Sequence, residues 1–184
     1  LSLLASTALI TYLTLYYSNN IYDEMIVDSV FQAVSIGTTS GFLTSNYSNW
    51  PLFVPIMLLI AAFIGACAGS TGGGIKVIRA LILLRQGSSE ITKLIHPNAV
   101  VTIKFGKKSL DPRVSESVWG FFAVYVATFL IILMFLLSQN MDFLSAFSAV
   151  GATLNNLGPG LGIVAENYKN ISDASKLALC MAML

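Results

Sequence analysis

Uncharged apolar stretches of two lengths alternate along the chain. The long ones occupy 1–17, 52–68 and 117–141, and the apolar pattern resumes at 177–184. The short ones, 30–37 and 143–152, lie between them. A bilayer core needs roughly twenty apolar residues, so the long stretches are expected spans. The short ones are too short to cross and too apolar for surface loops. Tyr12, Tyr16 and Tyr17 close the first span, where aromatic rings suit the membrane interface. Asp28 or Ser29 is placed to cap the first short helix, and Asp142 the second, because a side-chain oxygen there accepts an orphan N–H. Pro51 is expected in the first turn of the helix that follows it. As one straight helix, 51–85 would be far longer than a bilayer requires at about 1.5 Å per residue. The run Gly69, Ser70, Thr71, Gly72, Gly73, Gly74 is therefore expected to break it.

Each short helix runs into a strip of small or amide-bearing residues. The first copy reads FQAVSIGTTSGF over 31–42, and the second FSAVGATLNNLG over 147–158, its strip extending over 153–162. Phe31-x-Ala33-Val34 matches Phe147-x-Ala149-Val150 at an offset of 147 − 31 = 116, whereas Gly41 matches Gly158 at 158 − 41 = 117. One extra residue is thus expected between helix and strip in the second copy. The repeating unit is span, short helix, strip, span, and such repeats are a signature of membrane folds. It divides the chain into a first unit over 1–86, a connector over 87–113 and a second unit over 114–184.

Charge orients this arrangement. Of the ten Lys and Arg residues, eight lie between 76 and 113. The positive-inside rule puts that side in the cytoplasm. Asp23, Glu24, Asp28, Asp142 and Glu166 fall on the other side, so both strips are expected near the outer face. Topology explains the basic residues, and nucleic-acid binding is not expected. Composition agrees: 55% of residues are hydrophobic and 10% charged, against roughly 25% charged in soluble domains. With a mean hydropathy of +0.77, the expected class is all-α integral membrane. Cys67 and Cys180 have no CxxC partner and are expected as small buried apolar residues. His96 has no second ligand candidate nearby, so no metal site is expected there.

Helix followed by exposed backbone, twice, is the layout of an ion filter. A cation that sheds water needs replacement oxygens, and rings of backbone carbonyls supply them. The candidate ligating residues are Thr38, Thr39, Ser40 and Gly41, with Asn155, Asn156, Leu157 and Gly158. Glycine gives the strip conformations closed to other residues. The short helices would turn their negative C-terminal ends toward the ion. Gly69 to Gly74 lacks the GxxxxGK of a phosphate loop, since Ile75 separates Gly74 from Lys76. Two readings stay open for it, a simple kink and a flexible intramembrane loop that gates the pathway below the filter. Lys76 and Arg79 follow at helical spacing; snorkelling at the cytoplasmic surface is the favoured reading, and control of permeation the sharper one. The alternative class is a secondary transporter whose re-entrant segments bind a small solute. It needs ionisable groups near the midplane, and 29–68 holds none. No nucleophile, acid–base pair or metal cluster marks the membrane part as an enzyme.

SIGTTSGF, AGSTGGGIKVIR and ATLNNLGPGLG, in that order, resemble the TrkH/KtrB potassium transport subunits of bacteria. The resemblance covers essentially the whole chain. It implies four span–pore-helix–span repeats around a pseudo-fourfold pore, of which this chain would hold the third and most of the fourth. It implies potassium uptake across the cell inner membrane, with potassium at the filter residues named above and the gating role at Gly69, Ser70, Thr71, Gly72, Gly73 and Gly74. It also implies a homodimer in membrane lipid and a cytoplasmic nucleotide-binding ring of the TrkA/KtrA type. Any nucleotide would bind that ring, so no organic cofactor is expected in this chain. A family arginine that faces the gating loop would lie beyond Leu184.

Overall fold

The computed structural model describes residues 2–18, 24–65, 67, 69–70, 72–96, 104–105, 108–109 and 112–183. Residues 19–23, much of the connector and Thr71 therefore lie outside the described residues. Helices α1 (Ser2–Tyr17), α2 (Met25–Gly37) and α3 (Phe53–Ile64) pack on one another as a first unit. Helices α5 (Pro112–Ser138), α6 (Phe143–Leu154) and α7 (Asp173–Ala182) form a second. Between them α4 (Val77–Ile95) leans on α5. A hairpin of two-residue strands, β1 (Lys104–Phe105) and β2 (Lys108–Ser109), is the sole sheet among the described residues.

Helix α5 is the one described helix long and apolar enough to cross a bilayer, and only 11% of its apolar window is buried within the chain. A soluble core helix with that composition would be covered; this one presents its apolar surface outward. α3 is shorter than its apolar stretch. At twelve residues it rises only about 18 Å, because Gly65 turns the chain out at φ 69°. The glycine run does break the helix, and α4 resumes at Val77 and carries past residue 86 to Ile95. Pro51 stands before α3 instead of in its first turn; its carbonyl accepts from Val54 N at 2.8 Å, and Pro55 occupies the first turn.

Capping divides the two short helices. Asp142 caps α6 as expected, its Oδ2 accepting from Ser145 N at 3.0 Å. Neither Asp28 nor Ser29 caps α2, which starts at Met25 after Glu24 with no side-chain cap bond. Asp28 is instead buried in the first turn, where Thr44 Oγ1 donates to its Oδ1 at 2.7 Å. Ser29 Oγ donates back to Met25 O at 2.7 Å. The cysteines also depart from expectation, since both Cys67 and Cys180 are exposed.

Two apolar clusters hold the units together, and they are interlocked. The first joins Ala33, Ile36, Val54 and Leu58 to Leu157 and Leu161, so the strip of the second unit packs in the core of the first. The second joins Leu133 and Leu136 of α5 to Ala146 and Val150 of α6. Phe63, at the end of α3, bridges them. Its ring lies 5.6 Å from Phe129, 6.3 Å from Phe147 and 6.4 Å from Tyr125, centroid to centroid. Gly151 makes room for it: a Cβ there would stand 2.9 Å from Phe63 Cζ.

Candidate selectivity filter

Helices α2 and α6 end with the same hydrogen-bond pattern. Thr39 N donates to Ile36 O at 3.1 Å and Ser40 N to Ser35 O at 2.8 Å. Asn156 N donates to Thr153 O at 3.0 Å and Leu157 N to Ala152 O at 2.8 Å. This is the Schellman ending, in which the first residue past the cap is left-handed and usually glycine. Here it is Thr39 (φ 60°) and Asn156 (φ 51°), and the glycines come two residues later, Gly41 (φ 75°) and Gly158 (φ 99°). The pairs Ser35/Ala152, Thr39/Asn156 and Gly41/Gly158 all differ by 117 (152 − 35, 156 − 39, 158 − 41). The extra residue expected in the second copy is therefore not there. The letter match at 116 is one residue out of backbone register, because small apolar residues recur on both helices.

A non-glycine residue held left-handed costs on the order of 1–3 kcal/mol, and such strain collects at functional sites. Asn tolerates that region; β-branched Thr does not. Strain at Thr39 persists because the surroundings fix the strip. Gln32 Nε2 donates to Ser45 O at 2.9 Å and Ser35 Oγ to Phe42 O at 2.6 Å. In the second unit Leu161 N donates to Ser148 Oγ at 2.8 Å and Ile163 N to Ser145 Oγ at 3.0 Å. Two tyrosines brace the outer part: Tyr47 Oη donates to Gly160 O at 2.9 Å and Tyr168 Oη to Gly158 O at 2.7 Å. Burial pushes the Tyr168 phenol up to about 12 and raises Tyr47 further, with added repulsion from Tyr168, so both remain donors at neutral pH.

The strips meet. A Cβ on Gly41 would overlap the Leu157 carbonyl oxygen, so only glycine permits this approach. Among the described residues, the carbonyls of Thr38, Thr39, Ser40, Gly41, Asn155, Asn156 and Leu157 accept no hydrogen bond. Buried residues rarely leave a carbonyl without a partner, and Thr39, Asn155 and Leu157 are buried. Both helix C-termini add negative potential at the same place. Beside the strips opens a cavity of about 580 Å³, lined by Gly41, Thr44, Asn46, Gly158, Glu166 and Tyr168. Asn46 Nδ2 reaches across it to Glu166 Oε1 at 3.3 Å. No cluster of three His, Cys, Asp or Glu side chains placed to hold a metal ion occurs among the described residues.

The glycine run returns to the end of α3. Ile75 N donates to Phe63 O at 2.9 Å. At that point Gly73 lies against the Asn155 backbone, where a Cβ would overlap the carbonyl oxygen. The described part of Gly69 to Gly74 thus abuts the helix-side end of the second strip. Lys76 and Arg79 are half-buried. Lys76 Nζ turns back to Ser70 O at 3.0 Å, and the Arg79 guanidinium lies 4.2 Å from the Phe121 ring centre, a cation–π distance.

A family model described as TrkH, cation transport protein, matches residues 15–184. The chain belongs to the TrkH family. It is 49% identical over 169 residues to the Trk system potassium uptake protein TrkH of Salmonella typhimurium, covering 90% of this chain and 35% of that protein. The TrkG protein of Escherichia coli is 39% identical over 158 residues, covering 86% and 33%. A crystal structure of the potassium transporter TrkH from Vibrio parahaemolyticus matches with a TM-score of 0.90 at 47% identity, over 98% of this chain and 39% of that one. The chain thus spans about a third of the length of the curated relatives it matches. TrkH membership and this fold make it part of an all-α membrane protein of a transport family.

Sequence reasoning found the strips and the glycine run. It missed Tyr47, Tyr125, Tyr168 and the carboxylate of Asp28. A tyrosine in an apolar protein carries no mark in the sequence that separates a bracing hydroxyl from an interface ring.

Proposed function

We propose that this chain supplies two of the four repeats of a potassium-uptake protein and half of its selectivity filter. Thr38, Thr39, Ser40 and Gly41, with Asn155, Asn156, Leu157 and Gly158, offer backbone oxygens to a dehydrating potassium ion. Carbonyls that accept no hydrogen bond among the described residues, from Thr38 to Gly41 and from Asn155 to Leu157, lie side by side at Gly41 and Leu157, each strip behind a helix C-terminus, and carry this reading. The loop from Gly69 to Gly74 gates the pathway below the filter. Lys76 steadies it through the Ser70 carbonyl, and Arg79 anchors the start of α4 on Phe121.

The whole protein sits in the bacterial inner membrane with the basic connector in the cytoplasm. It works as a homodimer in lipid and is controlled by a nucleotide-binding ring of the TrkA/KtrA type. The test is potassium and rubidium uptake, against sodium, in potassium-uptake-deficient cells carrying the full-length parent gene. Uptake that favours potassium, and loses the preference in Gly41→Ser, is the expected result. Absence of monovalent cation flux from folded protein would leave the small-solute transporter as the better reading.

A further inference from the structure

Asn155 occupies the position that Thr38 holds in the first copy (155 − 38 = 117), yet its side chain does more. Thr38 Oγ1 donates to Val34 O at 2.7 Å and pairs with Ser40 Oγ at 3.0 Å. Asn155 Nδ2 makes the equivalent bond, to Gly151 O at 2.7 Å. A carbonyl only accepts, so this bond fixes which end of the amide is nitrogen. The amide oxygen is left over, and it points away from the strip. Tyr125 Oη, on α5, donates to it at 2.8 Å. A Cβ on Gly74 would stand 3.2 Å from the same oxygen, and Gly73 lies on the Asn155 backbone. Asn155 is fully buried, so the oxygen has no recourse to water. The residue thirty positions before Thr38, as Tyr125 is before Asn155, is Ala8, with no hydroxyl to offer.

We infer that the Asn155 side chain is a positioning residue that seats the intramembrane loop against the second strip, with Tyr125 holding the amide in its seating orientation. The inference rests on the cation-pathway reading above and adds to it where the loop is latched. The amide bonds the C-terminus of α6 at Gly151 and α5 at Tyr125, and its oxygen lies beside Gly74 of the loop, while Gly73 rests on the Asn155 backbone. The rings of Phe63 and Phe121, 6.4 Å and 6.0 Å from that of Tyr125, hold the phenol in place without its hydroxyl. Removing the hydroxyl alone frees the amide oxygen and loosens the seat while the packing stays.

The test uses the full-length protein in proteoliposomes, comparing wild type with Tyr125→Phe and Gly73→Ala. Two quantities are read: rubidium influx with its ratio to sodium, and the rate at which a small thiol reagent labels Cys67 when other cysteines are serine. Cys67 is exposed and stands two residues before Gly69, where the chain enters the loop, so its labelling reports on the loop independently of flux. Both variants are expected to raise resting influx and labelling by several-fold, up to about tenfold for a lost buried hydrogen bond, with the rubidium-to-sodium ratio unchanged. A merely structural defect would lower flux and leave that pattern absent. Labelling at the wild-type rate in both variants overturns the inference, as does a changed ion ratio with unchanged labelling. Faster labelling in a protein whose wild type carries no cation flux supports the seat and refutes the cation pathway.

Discussion

The two copies of the helix–strip unit share a backbone and differ in what holds it. Both end in the same Schellman bonds, and both carry a left-handed residue followed two positions later by a left-handed glycine. The first strip is braced by its own helix, through Gln32, Ser35 and Asp28. The second is braced from three directions: its helix through Ser145 and Ser148, the first unit through Tyr47, and α5 through Tyr125. The Gly41 carbonyl is free, whereas Gly158 O is taken by Tyr168. A shared backbone path can thus be reached with unlike side chains, because carbonyl geometry follows φ and ψ and any nearby donor can hold it. The copies are alike in backbone path and unlike in what surrounds them.

The sharpest way to break that comparison is a methyl group at each filter glycine of the full-length protein. Gly41→Ala meets both a left-handed backbone and the Leu157 carbonyl, while Gly158→Ala meets only the backbone, with open space around it. Potassium-over-sodium preference is expected to collapse in the first and weaken by no more than about tenfold in the second, taking about 1.4 kcal/mol of strain as the scale. Equal losses would mean that the two strips do not touch in the working protein.

A reciprocal exchange probes the residue just past each helix. Thr39→Asn places a residue that accepts the left-handed region where one resists it, and Asn156→Thr does the reverse. Thermal unfolding in detergent should move up for the first and down for the second, by about 1 kcal/mol each. Shifts of the same sign would show that side-chain contacts, and not backbone strain, dominate there.

The smallest expected difference lies at the helix starts. Partial burial of Asp142 favours its neutral form, but hydrogen bonds from Ser145 and nearby backbone outweigh this and hold its carboxyl below the usual range. A depressed carboxylate contributes stability above its unfolded pKa, near about 4, and loses it as pH falls through the lower folded value. Asp142→Asn keeps the cap, so the loss is expected to be a few tenths of a kcal/mol at neutral pH and to vanish in acid. Melting curves from about pH 3 to about pH 7 measure it. A gap that widens in acid would contradict the cap.

Much of this architecture is legible in the letters alone. The long apolar helix α5, the two short helices, the Asp142 cap, the strips and the helix break at the glycine run follow from local rules: apolar length, capping oxygens and glycine's freedom. Two expectations fail for one reason, which is that neighbours distant in the chain decide a side chain's surroundings. Asp28 resembles a cap in sequence, but burial beside Thr44 recruits it into a brace. Cys67 and Cys180 sit in apolar runs that supply core residues, but both cysteines are themselves exposed.

The sequence by itself determined that this is a helical membrane chain with a doubled helix–strip unit, since periodicity, apolar length and the distribution of Lys and Arg are local or additive signals. Only the tertiary structure decided the repeat register of 117, the approach of Gly41 to Leu157, and the meeting of Gly73 with Asn155. Those contacts join residues far apart in the chain, and their geometry depends on how whole helices pack. No single stretch of letters encodes that a carbonyl at 155 will lie beneath a glycine at 73.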